Sequence, residues 1–165
     1  MSSPEGSSVT FRRPPKDVRP RALQLFARKM QREVARGRAF DCLITGDAEM
    51  RRLNRDFRGQ DSATDVLSFP APDLALAVSR PRPSPRRAAR PTHLGDLSIS
   101  IQRARAQGRQ FGHSAEQEIR ILMLHGLLHL LGMDHENGDG RMGRSEKLWR
   151  TRLGLGCGLI ERVRP

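Results

Sequence analysis

Apolar positions along this chain recur with two periods, and the alternation between them outlines its elements. Leu23, Phe26, Ala27, Met30 and Val34 form one stripe at helical spacing, which predicts a helix over 17–35, ended by Gly37. Residues 40–45 read as a buried strand. Asp47 is expected to cap a second helix with Met50, Leu53 and Phe57 on one face, closed by Gly59. Residues 9–13 suit a short edge strand, stopped by Pro14 and Pro15. Residues 66–69 suit another, with Pro70 expected to end its pairing. In 97–101 the apolar positions alternate with Ser98 and Ser100, the mark of a half-exposed strand. A helix over 102–110 follows, then a strongly apolar helix, then a last one near 141–152 that is expected to pack Leu148 and Trp149. Helices interleaved with four short strands predict an α+β sandwich built on a small, four-stranded mixed sheet.

The apolar helix carries the chemistry. Residues 119–131 are apolar nearly all round, which marks a buried helix, and Ser114 with Gln117 three residues on forms a capping box at its start. His125 and His129 lie four residues apart on it, one above the other on the same face. Gly132 supplies a left-handed stop that lets the chain turn and return His135 to the same point. Three neutral imidazoles with an open fourth position are the ligand set of a catalytic zinc. A closed structural site would need a fourth protein ligand, and Cys42 and Cys157 are far away in sequence. The plainer reading is two ordinary core histidines, but on a buried helix both would need partners, and a metal provides them. Counted from His135, Asn137, Asp139, Gly140 and Glu146 also mimic an EF-hand calcium loop. A histidine in its first position argues against that, because nitrogen is a poor ligand for a hard cation.

Composition narrows the partners. The chain has 165 residues, enough for one domain, and a net charge of +12. A basic surface attracts polyanions, nucleic acid first, although an arginine excess can also reflect a GC-rich genome. Aromatics are scarce (6 Phe, 1 Trp, no Tyr), so no platform for stacking bases is evident. No apolar run is long enough to span a membrane, the N-terminus lacks a signal peptide, and two distant cysteines fit a reducing cytoplasm. Residues 1–8 are expected to be disordered. A mobile loop is expected over 71–92, where Arg80, Arg82, Arg86, Arg87 and Arg90 alternate with prolines. It reads equally as a surface insertion or as a basic arm gripping RNA.

Three blocks carry a family resemblance: Asn54 and Arg58 leading into Thr64-Asp65-Val66-Leu67-Ser68-Phe69-Pro70; Leu94-Gly95-Asp96-Leu97-Ser98-Ile99-Ser100; and the run from His125 to His135, continued by Met142 and Glu146. In this order they resemble the bacterial YbeY endoribonuclease family of rRNA maturation factors. The resemblance covers roughly 40–154 apart from the loop near 71–92. It implies a zincin-type metal helix within the four-stranded fold, and a single-strand-specific, metal-dependent endoribonuclease. That enzyme would act in 16S rRNA 3′-end maturation and ribosome quality control, with the ribosome or its proteins as partners and no role on DNA. It further implies one Zn2+ on His125, His129 and His135, and a functional Arg58. Read alone, Arg58 is a last-turn arginine meeting helix-end carbonyls; the resemblance turns it toward phosphate. Met133 stands where the family often has an aromatic residue, and the Pro/Arg loop is longer than usual. Asp134 and Glu136 offer proton transfer or orientation of ligands, or are merely solvated, and Asp65 and Asp96 share that ambiguity.

Two rivals remain at this level. H-x3-H-x5-H is also the spacing of zinc metallopeptidases, but those carry a glutamate directly after the first histidine, where this chain has Gly126. The other is a non-catalytic RNA-binding assembly factor with a structural zinc.

Overall fold

The computed structural model describes residues 6–72, 93–134 and 140–155. His135, Glu136, Cys157 and all but the first two residues of the expected 71–92 loop lie outside these. Strand β1 (Ser8–Phe11) leads to helix α1 (Pro20–Glu33), strand β2 (Ala39–Thr45) and helix α2 (Asp47–Arg58). Strands β3 (Val66–Pro70) and β4 (His93–Ser100) follow, then helices α3 (Ile101–Phe111), α4 (Ala115–Leu130) and α5 (Arg141–Leu153). The four strands form one mixed sheet in the order β1-β2-β4-β3, with β1 and β4 parallel to β2 and β3 antiparallel to β4. This is the α+β architecture that the periodicity predicts. Among the described residues no helix is long and apolar enough to cross a membrane.

The core lies between the sheet and α1 and α4. All five residues of the α1 stripe are buried, as are Phe40, Cys42 and Ile44 on the facing side of β2. Helix α4 is buried over ten of its 16 residues, which is why its sequence is apolar nearly all round. Burial pushes the Cys42 thiol far above the ordinary cysteine range, with Asp41 adding to the shift, so Cys42 is an inert core residue.

Five expectations need correction. Asp47 is the first residue of α2, and Gly46 is its N-cap; the Asp47 carboxylate accepts a hydrogen bond from Ser100 Oγ at 2.6 Å instead. Pro70 does not end the pairing of β3, since it opposes Gly95 and Ala71 N still donates to Leu94 O at 3.0 Å. An edge strand tolerates proline where its missing donor faces away from the ladder. Gly95 matches that close approach, because at φ 138° an added Cβ would lie 2.2 Å from Phe69 O. Ser98 and Ser100 are buried, since β4 is a central strand and Ser100 also caps α3 through Arg103 N at 3.1 Å. Leu148 is exposed, while Met142 and Glu146 hold the buried face of α5. The ordered chain also begins earlier than expected: Ser7 is buried, donates to Gln31 Oε1 at 2.7 Å and accepts from Phe40 N at 3.0 Å.

Candidate metal centre and the adjoining cleft

Helix α4 begins as its sequence predicts, with Ser114 Oγ accepting from Gln117 N at 3.1 Å. It ends in a Schellman motif: Gly132 has φ 88°, Gly132 N donates to His129 O at 2.9 Å, and Met133 N donates to Leu128 O at 3.1 Å. The chain is thereby turned back within one residue of the last helical turn, just before His135.

Between these ends His125 and His129 face each other edge to face, with ring centroids 4.8 Å apart and Nε2 atoms 3.2 Å apart. Behind them, Glu146 Oε2 lies 2.9 Å from His125 Nδ1, and both side chains are largely buried. With Nδ1 donating to Glu146, the Nε2 lone pair of His125 would face His129. Two nitrogens bound to one tetrahedral zinc at about 2.0–2.1 Å would be separated by roughly 3.3 Å. The observed spacing fits that geometry, and the donor set suits a borderline-soft divalent ion. Glu146 was missed in this role by sequence reasoning, which met it as a calcium-loop mimic and as part of the third resemblance block, without a contact to His125. The usable signal was the i, i+4 pair Met142 and Glu146 in the next helix, which presents a carboxylate on a buried face.

Gly126 explains why the peptidase motif is incomplete. An added Cβ there would lie 2.8 Å from Leu97 Cδ2 and 3.2 Å from Val66 Cγ2, so this side of α4 is pressed onto the sheet. Ser68 Oγ donates to Gly126 O at 3.0 Å at the same place. A glutamate at this position would enter the core and could not act as a base.

On the α2 side of the sheet lies a cleft of about 840 Å³, lined by Arg12, Arg52, Phe57, Arg58, Ser68 and Asp96 among others. His125 and His129 are not among the described residues that line it; Ser68 connects the two regions through Gly126. Arg58 is the exposed last residue of α2, followed by Gly59 as C-cap at φ 70°. Arg12 grips Glu49 with its closest contact at 3.1 Å, and its hydrogen bonds hold that carboxyl below the usual glutamate range against the opposing effect of burial. Arg52 adds a second cation to Glu49 at 3.6 Å. Phe57 stands edge to face on Phe69, with centroids 5.3 Å apart. Desolvation raises the Asp96 carboxyl above the ordinary aspartate range; His93 opposes this and Asp41 adds to it.

Asp41, His93 and Asp96 form a second group that could hold a cation, with one ligand atom from each all within 4.8 Å of one another. Asp41 already accepts from Ser8 Oγ at 2.6 Å and pairs with His93 Nε2 at 3.0 Å, and both partners of that pair are more than two-fifths exposed. Of the other carboxylates, Asp65 is engaged by Val66 N at 2.7 Å and Gln107 Nε2 at 3.1 Å, a structural tie between β3 and α3, and Asp134 is exposed.

Residues 12–151 match the family model described as Endoribonuclease YbeY. The chain is 61% identical over 163 residues to the Endoribonuclease YbeY of Solibacter usitatus (strain Ellin6076), covering 99% of each. It is 38% identical over 146 residues to that of Koribacter versatilis (strain Ellin345), covering 88% of this chain and 85% of the relative. In fold it is similar to the solution structure of TM1509 from Thermotoga maritima, with a TM-score of 0.54 and 24% identity over 88% of this chain and 93% of that one. With a family model over most of its length and a relative matched nearly end to end, the chain belongs to the YbeY endoribonuclease family.

Proposed function

We propose that this endoribonuclease is single-strand-specific, uses one Zn2+, and acts in 16S rRNA 3′-end maturation and ribosome quality control in the cytoplasm, with the ribosome or its proteins as partners. The observation that carries the reading is the His125–His129 pair, its Nε2 atoms 3.2 Å apart with Glu146 behind. His125, His129 and His135 would hold the ion. When bound, zinc supplies Lewis acidity for a phosphoryl oxygen and draws the pKa of water toward neutral pH. Glu146 keeps the His125 proton on Nδ1 and orients the ring. Arg58 takes a phosphate of the strand and stabilises charge there through its fixed fork of donors.

The role of Glu146 has its own expected result. Glu146→Gln will lower zinc affinity about 10- to 100-fold, measured by competition with a chromogenic chelator. Unchanged affinity would reduce the Glu146–His125 contact to a packing detail.

The overall reading is tested with end-labelled single-stranded and duplex RNA, using the wild type and Arg58→Glu. The wild type is expected to cut the single strand and spare the duplex. Arg58→Glu should cut it about 100-fold more slowly with an unchanged zinc content, since a lost charge clamp typically costs a few kcal/mol. Normal cleavage by Arg58→Glu would remove the phosphate role, and equal cutting of duplex would remove strand specificity.

A further inference from the structure

We propose that the cleft beside α2 seats one unstacked base of a single-stranded RNA against the ring of Phe57, with the adjoining phosphate on Arg58. This rests on the RNA-cleaving reading above and adds to it a residue that holds the base.

Phe57 is 69% exposed, the highest value among the described large hydrophobic residues, although it lies at the mouth of a concave site. Its edge-to-face contact with Phe69 has an interplanar angle of 66° and occupies at most one face of the ring. The pair therefore props the ring at a set angle and leaves apolar surface to cover. Arg58 is next in the chain and lines the same cleft. Arg12 and Arg52 are committed to Glu49, whereas Arg58 forms no ion pair among the described residues.

A ring and an available guanidinium side by side match the two needs of single-strand binding, stacking for the base and charge for the backbone. The cleft floor sets the orientation. Asp96 pairs across the sheet with Phe69 on one side and with Asp41 on the other, so two carboxylates lie beyond the aromatic pair. They repel phosphate, which leaves the backbone on the Arg58 side and the base over the rings. Ser68 directs its hydroxyl to the opposite face of β3 from Phe69, onto Gly126 O between the two histidines, so a strand leaving the cleft would reach the metal centre by passing round this edge strand.

The test is fluorescence anisotropy with a labelled 2′-O-methyl oligocytidylate octamer, whose integrity is checked by gel after each titration, together with cleavage of end-labelled RNA. The proteins are the wild type, Phe57→Leu and Phe57→Trp. Leucine keeps an apolar side chain at an exposed position and removes the π face, so the thermal midpoint should fall by a few degrees at most, from the lost ring contact with Phe69. Phe57→Leu should bind the octamer about 5- to 150-fold more weakly, and Phe57→Trp at least as tightly as the wild type. Equal binding by Phe57→Leu and the wild type, with RNA still cut, would overturn the base platform alone and leave Phe57 to a protein contact. A wild type that neither binds nor cuts RNA would overturn the platform and the nuclease reading together.

Discussion

The His129→Ala variant is expected to fold, to bind single-stranded RNA as the wild type does, and to cut it roughly a thousandfold more slowly. The magnitude follows from removing one ligand of the ion. Lewis-acid stabilisation of the transition state contributes several kcal/mol, and each 1.36 kcal/mol is a factor of about ten in rate. The fold should survive because His129 sits at the solvent side of a helix whose other faces hold it. Ten residues of α4 are buried, and Gly126 is seated on Leu97 and Val66. The measurement is cleavage of end-labelled RNA by both proteins, with zinc content and thermal midpoint taken on the same samples. Undiminished cleavage by His129→Ala would exclude the histidine centre from the chemistry. Unfolding of the variant would instead make the metal structural and favour an RNA-binding assembly factor.

Gly126→Glu, the substitution that completes a peptidase motif, should destabilise the protein by more than about 4 kcal/mol and create no peptidase activity. Two costs add at this position. An added Cβ would lie 2.8 Å from Leu97 Cδ2, and the carboxylate beyond it would be carried toward the apolar side chains of Leu97 and Val66. Gly126→Ala carries only the first cost, about 1–3 kcal/mol of overpacking, partly offset by about 1 kcal/mol of helix propensity. Chemical denaturation of the three proteins should rank them wild type, Gly126→Ala, Gly126→Glu. A folded Gly126→Glu that hydrolyses a peptide would return the peptidase reading to contention.

Both results depend on features of different legibility. The i, i+4 spacing of His125 and His129, the Ser114 cap and the Gly132 stop are local, and each was readable because helix geometry alone decides which groups meet. The absence of glutamate at Gly126 was also readable, but its cause was not, since Leu97 and Val66 are brought there by the sheet. Glu146 is 21 residues from His125, and no local rule sets the rotation of α5 that buries Glu146 and exposes Leu148. The aromatic pair shows the same limit. Phe57 and Phe69 are two of only six phenylalanines, and composition alone suggested no platform for bases. Their contact joins the last turn of α2 to β3, two segments whose meeting no local rule sets.

Local periodicity and stop residues thus determined the elements, the mixed α+β class and two facing histidines, because those interactions span a few residues of one helix or strand. Strand order, the pairing of β3 beyond Pro70, the burial of Ser98 and Ser100, the Glu146 contact and the cleft were decided only in three dimensions. Each depends on which distant segment packs alongside, and that choice is settled by burial summed over the whole core.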